Sequence, residues 1–349
     1  MLIRGKAPLR VSFSGGGSDV SPYSDEYGGC VLSTTIGMYI YGALEVRKDK
    51  QVEIFSLDYD ELVKYELNSE IKKGDKLEFL RAVIRHLKPP SGINLYLHSD
   101  APPGTGLGSS GAISVLIVGL VNRAFNLMLT KYQIARLAYE VEHDDLKRAV
   151  GRQDHYAAAF GGMNFMEFGR NGTVVYPLRI EPWILEELSY HIQLFYTRKK
   201  HNSSDIVAKQ VDYYKNRRKE TLGALAEMKE IASQMQTMLV QGKLKRFAEL
   251  LHEAWLAKQR MNPGTVTPYL AELYEIARKN GTIGGKITGA GGGGFFLFFT
   301  PFTKKGQVSE AMIKMGAQSV PFVLDFKGLQ TWQVYEQSLS EEAGDMFLP

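Results

Sequence analysis

Pro102-Pro103-Gly104-Thr105-Gly106-Leu107-Gly108-Ser109-Ser110-Gly111-Ala112 is the stretch on which the reading of this chain turns. Three alternating glycines, Gly104, Gly106 and Gly108, stand directly before two serines and a long apolar run, Ala112 to Leu120. The run predicts a buried helix from Ser109 to Asn126. A glycine loop that feeds a helix N-terminus offers bare backbone N–H groups and the positive end of a helix dipole. That combination suits a phosphate group. The two serines can cap the helix or offer a hydroxyl to a metal ion.

Two familiar phosphate loops do not fit. A Walker A loop needs G-x-x-x-x-G-K-[ST], and Gly285-Lys286 is followed by Ile287. A Rossmann turn needs G-x-G-x-x-G with an acidic residue about 20 positions on. Here the third glycine comes one residue early, and no carboxylate stands between Ser109 and Thr130. A plain flexible turn before a core helix is the remaining alternative.

Two further glycine-rich segments weigh against a plain turn. Lys286-Ile287-Thr288-Gly289-Ala290-Gly291-Gly292-Gly293-Gly294 runs into a strand-like Phe295 to Phe299. Near the start stands Arg10-Val11-Ser12-Phe13-Ser14-Gly15-Gly16-Gly17-Ser18-Asp19. Residues this small let backbone approach a ligand or another loop closely.

Taken together, the three segments resemble the signature of the GHMP kinases, whose members include galactokinase, homoserine kinase and mevalonate kinase. Residues 102–112 match the second motif, P-x-x-x-G-L-G-S-S-x-A, and 286–294 match the third. The first motif matches more loosely: Arg10 and Asp19 are in place, but Gly15-Gly16-Gly17 stands where galactokinases carry Gly-Glu-His. Ser-Gly-Gly-Gly-Ser-Asp and Gly151-Arg152-Gln153-Asp154 resemble the branch of the family that acts on manno-heptose phosphates, with kinases of fucose salvage as kin.

The resemblance implies a two-domain α/β (α+β) fold. Residues 1–185 would form an ATP-binding domain like a ribosomal-protein fold, and 186–340 a ferredoxin-like domain, with the site in the cleft between them. It implies transfer of a phosphoryl group from ATP, with Mg²⁺, to the anomeric hydroxyl of a manno-heptose 7-phosphate. Another small acceptor such as fucose, or a non-catalytic sensor, are the alternatives. Pro103, Gly104, Thr105, Gly106, Leu107, Gly108, Ser109 and Ser110 would hold ATP. Ser110 and Glu142 would hold Mg²⁺, Glu140 being the competitor two residues away. Asp154 would be the general base, its alternative an N-cap of the following helix. Arg10 would sit beside it. Asp19, Gly17 and Ser18 would face the sugar. For the phosphate that the sugar already carries, the basic run Arg198, Lys199, Lys200 and His201 before a helix start is the best local candidate, a solvated loop being the alternative, with Arg152 second. Lys286 and Thr288 would touch ligand, and Gly289, Gly291 and Gly292 would support the phosphate loop by close packing.

Composition agrees with a soluble enzyme and decides little. The 349 residues are 44% hydrophobic with a net charge of +4, too mild to imply nucleic acid. One cysteine, Cys30, allows no internal disulfide and is expected to be buried. The first residues lack the apolar core of a signal peptide, and no run of 18 apolar residues exists, so a cytoplasmic location without membrane contact is expected. A homodimer is left open. Helices are expected over Lys76–Leu87, Lys131–Ala149, Ser203–Leu239 (broken near Thr221-Leu222-Gly223), 243–260, 267–280 and 305–315. Strands are expected at 11–14, 39–47, 52–57, 93–97 and 318–335, with a hairpin around Asn171-Gly172. The acidic tail after Ser338 reads as loosely held.

Overall fold

The computed structural model describes residues 1–58, 61–70, 77–199 and 203–335. The chain opens with two long antiparallel strands, β1 (Leu2–Ser14) and β2 (Gly29–Val46), joined through the short helix α1 (Tyr23–Tyr27). Strands β3 (Gln51–Ser56) and β4 (Glu61–Glu66), helix α2 (Glu78–Leu87) and strand β5 (Ile93–Ser99) follow. The pairing order runs β4-β3-β5-β2-β1, with β3 and β5 parallel. Register shifts at Pro8/Leu9, where proline offers no N–H to the ladder.

Helix α3 (Ser109–Phe125) lies on this sheet. It is apolar almost all round, so it is buried almost all round, with ten of its residues in the core. Helix α4 (Lys131–Glu140) begins at a capping box made by Thr130 and Gln133. It ends earlier than the expected Ala149: a π-helical turn, Val141–Asp145, follows, and then an irregular stretch. The wide turn carries Glu142 into the interior, where it is 1% exposed. Helix α5 (Gln153–Phe160) and the hairpin β6 (Met163–Gly169) and β7 (Gly172–Pro177) complete this part.

Helix α6 (Pro182–His191) and strand β8 (Ile192–Tyr196) lead into a helical layer: α7 (Ser203–Lys215), α8 (Lys219–Val240), α9 (Leu244–Met261) and α10 (Pro268–Lys279). The break between α7 and α8 falls at 216–218, where Arg217 is left-handed, and not at 221–223. Gly223 sits exposed inside α8, where a single glycine costs only about 1 kcal/mol. Strands β9 (Gly284–Ile287) and β10 (Phe295–Phe299), helix α11 (Lys305–Lys314) and β11 (Gln318–Val320) finish a second sheet ordered β11-β8-β10-β9. The last strands, β12 (Leu324–Asp325) and β13 (Gln330–Val334), return to pair with β2 and β1 of the first sheet. The C-terminal segment thus crosses back over the expected 185/186 boundary.

Helices α8 and α9 pack together and bridge the layers: α8 rests on β1 and β2, α9 on β1 and β9. Their apolar stripes, Leu225, Met228, Ala232 and Met235 on α8 and Phe247, Leu251 and Ala254 on α9, are fully buried. Cys30 is buried and free, as expected. Among the described residues no helix is long and apolar enough to cross a membrane. The start of the helix expected from Lys76, and the tail after Ser338, lie outside the described residues.

Candidate active site

A cavity of about 550 Å³ opens where the three glycine segments meet. Residues 102–108 wind through three left-handed glycines, Gly104, Gly106 and Gly108, at φ +74, +79 and +78. Gly108 itself is the N-cap of α3, and no side chain caps the helix. The serines therefore do not act as caps. Among the described residues Ser109 Oγ is buried without a hydrogen-bond partner, and both Ser109 and Ser110 line the cavity beside the open helix N-terminus. Pro103, Gly104, Thr105, Gly106 and Gly108 line it too, whereas Leu107 points into the core.

The third glycine segment locks onto this loop backbone to backbone. A Cβ on Gly289 would lie 2.5 Å from Gly106 Cα, and one on Gly106 would lie 2.6 Å from Thr288 O. Gly289 lines the cavity. Gly291 packs on Thr265, and the Gly292 N–H donates to Thr265 O at 2.7 Å, so these two act from behind the loop. Thr288 is buried, its N–H bonded to Phe295 O.

Arg10 and Asp154, 144 residues apart in sequence, meet at the loop's edge. Arg10 Nε and Nη2 lie 2.8 and 2.6 Å from Asp154 Oδ1, and Arg10 Nη1 donates to Gly106 O at 2.8 Å. Arg10 is 3% exposed, but the Asp154 side chain keeps 24% exposure toward the cavity. The N-cap of α5 is Arg152, not Asp154, so the capping alternative falls away.

Glu142 lines the cavity, and its Oε1 lies 3.2 Å from Ser114 Oγ and 3.1 Å from His155 Nε2. Glu140 instead pairs on the surface with Arg136. Among the acidic run, the π turn singles out Glu142.

Asp19 is wholly buried, and its two oxygens accept from Gly17 N, Gln153 N and Gln153 Nε2. Burial, then the charge of Asp154, pushes its carboxyl above the usual range. Asp19 thus ties the first glycine turn to the start of α5 while bordering the cavity. Gly17 lines the cavity and accepts from Gln210 Nε2. Ser18 does not: its hydroxyl bonds Gly15 O and Cys30 O beneath the turn.

Several expected phosphate ligands are elsewhere. Arg152 is taken up by Asp25, Ser21 and the Gly169 carbonyl, under Tyr139, and is not among the described lining residues. Its position after Gly151 turns the side chain away from the cavity. Arg198 and Lys199 are exposed and also absent from that lining. Lys200 and His201 lie outside the described residues.

Lys258 was not foreseen at the site; Lys286, expected to touch ligand, lines the cavity with it. Lys258, on α9, is 2% exposed, and its Nζ donates to Gly289 O at 2.7 Å. Burial, with help from Arg10, pushes its ammonium down to about 8. Lys286 Nζ donates to Ser12 O at 2.7 Å and is pushed well down by burial, then by Lys258 and Arg10. A signal for Lys258 existed: it falls on the apolar stripe of its helix, in line with Leu251, Ala254 and Met261. Beyond the glycine loop the cavity becomes apolar, walled by Ile40, Leu77, Phe79, Leu80 and Leu97. Those residues read in sequence as ordinary core.

Comparison with known proteins follows the same lines. The profile of the GHMP kinases N terminal domain matches residues 76–162, and that of the GHMP kinases C terminal region matches 222–318. The chain is 34% identical over 338 residues to D-glycero-alpha-D-manno-heptose 7-phosphate kinase of Campylobacter jejuni, covering 95% of this chain and 99% of that one. The crystal structure of a D-glycero-D-manno-heptose 1-phosphate kinase from Bacteroides thetaiotaomicron superposes with a TM-score of 0.77 at 31% identity, over 96% of this chain and all of that one. Lactococcus lactis galactokinase, solved with galactose, gives 0.76 at 20% identity over 94% and 95% of the two chains, a likeness of fold.

Proposed function

The chain belongs to the GHMP kinases, a family of phosphotransferases, and on that premise we propose that it phosphorylates a manno-heptose phosphate. The acceptor in this reading is the anomeric hydroxyl of D-glycero-D-manno-heptose 7-phosphate, and the product is the 1,7-bisphosphate. The observation that carries it is the Arg10–Asp154 pair, set against the carbonyl of Gly106 at the edge of a glycine loop with an uncapped helix N-terminus.

ATP would lie with its base in the apolar end of the cavity and its phosphates on the N–H groups of residues 104–110. The donor set suits Mg²⁺: the carboxylate of Glu142 and the hydroxyl of Ser110 are hard oxygens facing one cavity, beside the unpartnered Ser109 Oγ. Bound there, the ion would neutralise phosphate charge. His155 and Ser114 hold the Glu142 carboxylate in place. Asp154 orients the acceptor hydroxyl and takes its proton, and Arg10 faces the charge that develops on the phosphoryl group. Asp19 acts through Gly17 and Gln153, shaping the sugar end of the site. In domain terms, residues 1–185 would carry the nucleotide and 186–340 would close the acceptor side, with β12 and β13 returning to the first sheet.

A second reading takes the 1-phosphate as acceptor, since the similar Bacteroides protein is named a heptose 1-phosphate kinase. The experiment is ADP release with Mg-ATP on heptose 7-phosphate, heptose 1-phosphate, free heptose, mannose 6-phosphate and fucose, with phosphorus NMR of the product. Turnover confined to the 7-phosphate supports the first reading, and turnover confined to the 1-phosphate the second. Turnover of fucose or free heptose alone removes both. No turnover with ATP bound points to a sensor.

A further inference from the structure

Resting on the kinase reading above, we propose that Lys258 is a catalytic residue that donates a hydrogen bond to a non-bridging oxygen of the phosphoryl group in transfer. Nothing in the motifs points to it: it lies on α9, far from the three glycine segments in sequence. An ammonium carries three donors. One of those on Lys258 goes to Gly289 O, and among the described residues it makes no other hydrogen bond. Its neighbours place it. Gly289 sits directly on Gly106, and Gly106 O holds Arg10, which holds Asp154. Lys258 therefore stands at the junction of the phosphate loop and the proton-accepting pair, on the wall of the same cavity.

Among the described residues no carboxylate lies within ion-pair reach of Lys258. Arg10, Lys258 and Lys286 bring three basic groups from three elements, β1, α9 and β9, and of the carboxylates on this cavity Glu142 is held by His155 and Ser114. Asp154 is already paired with Arg10, and Asp19 is saturated by backbone and amide donors. Buried cations without partners are costly, and burial holds Lys258 near the point of losing its proton. A phosphoryl oxygen arriving beside Gly289 supplies the missing counter-charge. In the transfer the acceptor oxygen bonds to the γ-phosphorus, and the bond from that phosphorus to the bridging oxygen of ADP breaks, its electron pair leaving with ADP. The hydroxyl proton passes to Asp154. Lys258 keeps its protons and neutralises charge.

The test uses Lys258→Met, which keeps the reach and removes the charge, with Lys258→Arg as rescue and Lys258→Gln should the first not fold. Two measurements are made: steady-state kinetics on the sugar phosphate that the wild type accepts, and calorimetric binding of ADP with aluminium fluoride, a mimic of the phosphoryl group in flight, against ADP alone. The expected result is a kcat lower by roughly 10²–10³-fold. The KM for sugar phosphate stays within about twofold, binding of the aluminium fluoride complex weakens, ADP binding holds, and arginine restores part of the loss. A folded variant with wild-type kcat overturns the proposal. So does a raised KM for sugar phosphate with kcat intact, which would assign Lys258 to the phosphate the sugar already carries. Should the wild type phosphorylate no sugar, the kinase reading fails by itself. The aluminium fluoride arm still decides on Lys258, since equal binding by wild type and variant refutes its contact.

Discussion

Replacing Gly289 with alanine should damage ATP use and stability together, because two loops meet there through bare backbone. Gly289 holds φ at +65, and an added Cβ would fall 2.5 Å from Gly106 Cα and 2.7 Å from Gly106 O. Carbon contacts settle at about 3.5–4.0 Å, so the loops must part by roughly 1 Å. The left-handed backbone costs alanine about 1–2 kcal/mol. Forced overpacking adds about 1–3 kcal/mol. The expected destabilisation is about 2–5 kcal/mol, which at about 1.4 °C per kcal/mol for a chain of 349 residues means a melting point lower by roughly 3–7 °C. Gly106 also carries the carbonyl that holds Arg10, at 2.8 Å, so its displacement moves the catalytic pair. A 1 Å misplacement can cost roughly 10²-fold, and kcat/KM for ATP should fall by about that much. Thermal melts and ADP-release kinetics measure both, with Gly223→Ala as control. No atom lies within 4 Å of a Cβ at Gly223, inside helix α8, so that variant should gain roughly 0.5–1 kcal/mol with kinetics unchanged. A Gly289→Ala protein that melts and turns over like the wild type would refute the interlocked-loop account.

Three further outcomes are expected. Asp154→Asn should lower kcat by roughly 10²–10⁴-fold at unchanged KM for ATP, read in the same assay; a loss under about tenfold would leave the residue an orienting role only. Glu142→Gln should raise the Mg²⁺ concentration for half-maximal rate by roughly tenfold or more, while Glu140→Gln stays near wild type, and equal effects would reverse the choice between them. Lys258 is held at about 8 in the folded protein against 10.5 when free. Between those values the unfolded chain binds a proton that the folded one has shed, so stability attributable to this group rises with pH. The difference in unfolding free energy between wild type and Lys258→Met should therefore climb by up to roughly 3 kcal/mol from pH 8 to 10.5 in urea titrations, and a flat difference contradicts the burial argument.

Much of the architecture was legible along the chain. The helix after the glycine loop, the hairpin at Asn171-Gly172 and the third glycine loop between strands all stand where periodicity and turn chemistry put them. Where reading failed, the competing force was tertiary. Helix α4 stops at Glu140 because packing turns the chain inward at Glu142. Helix α6 and strand β8 carried no clean period, and β4 is a short edge strand with alternate exposure that its charged residues hid. Arg152 is a cation next to a motif aspartate, yet its guanidinium serves Asp25.

By itself the sequence determined the family, the enzyme class and the glycine-shaped backbone. Those are local demands: a left-handed residue, a glycine loop before a helix and an apolar stripe are each written in a few adjacent positions. How those charges are buried and held was decided by the tertiary structure: the family resemblance puts Arg10 beside Asp154 and Lys286 at the ligand, but nothing in the sequence puts Lys258 there. Arg10 finds Asp154 across 144 residues, Lys286 finds the Ser12 carbonyl, and Lys258 finds Gly289. Burial and partner set the strength of each charge, and both depend on what the fold brings within a few ångströms.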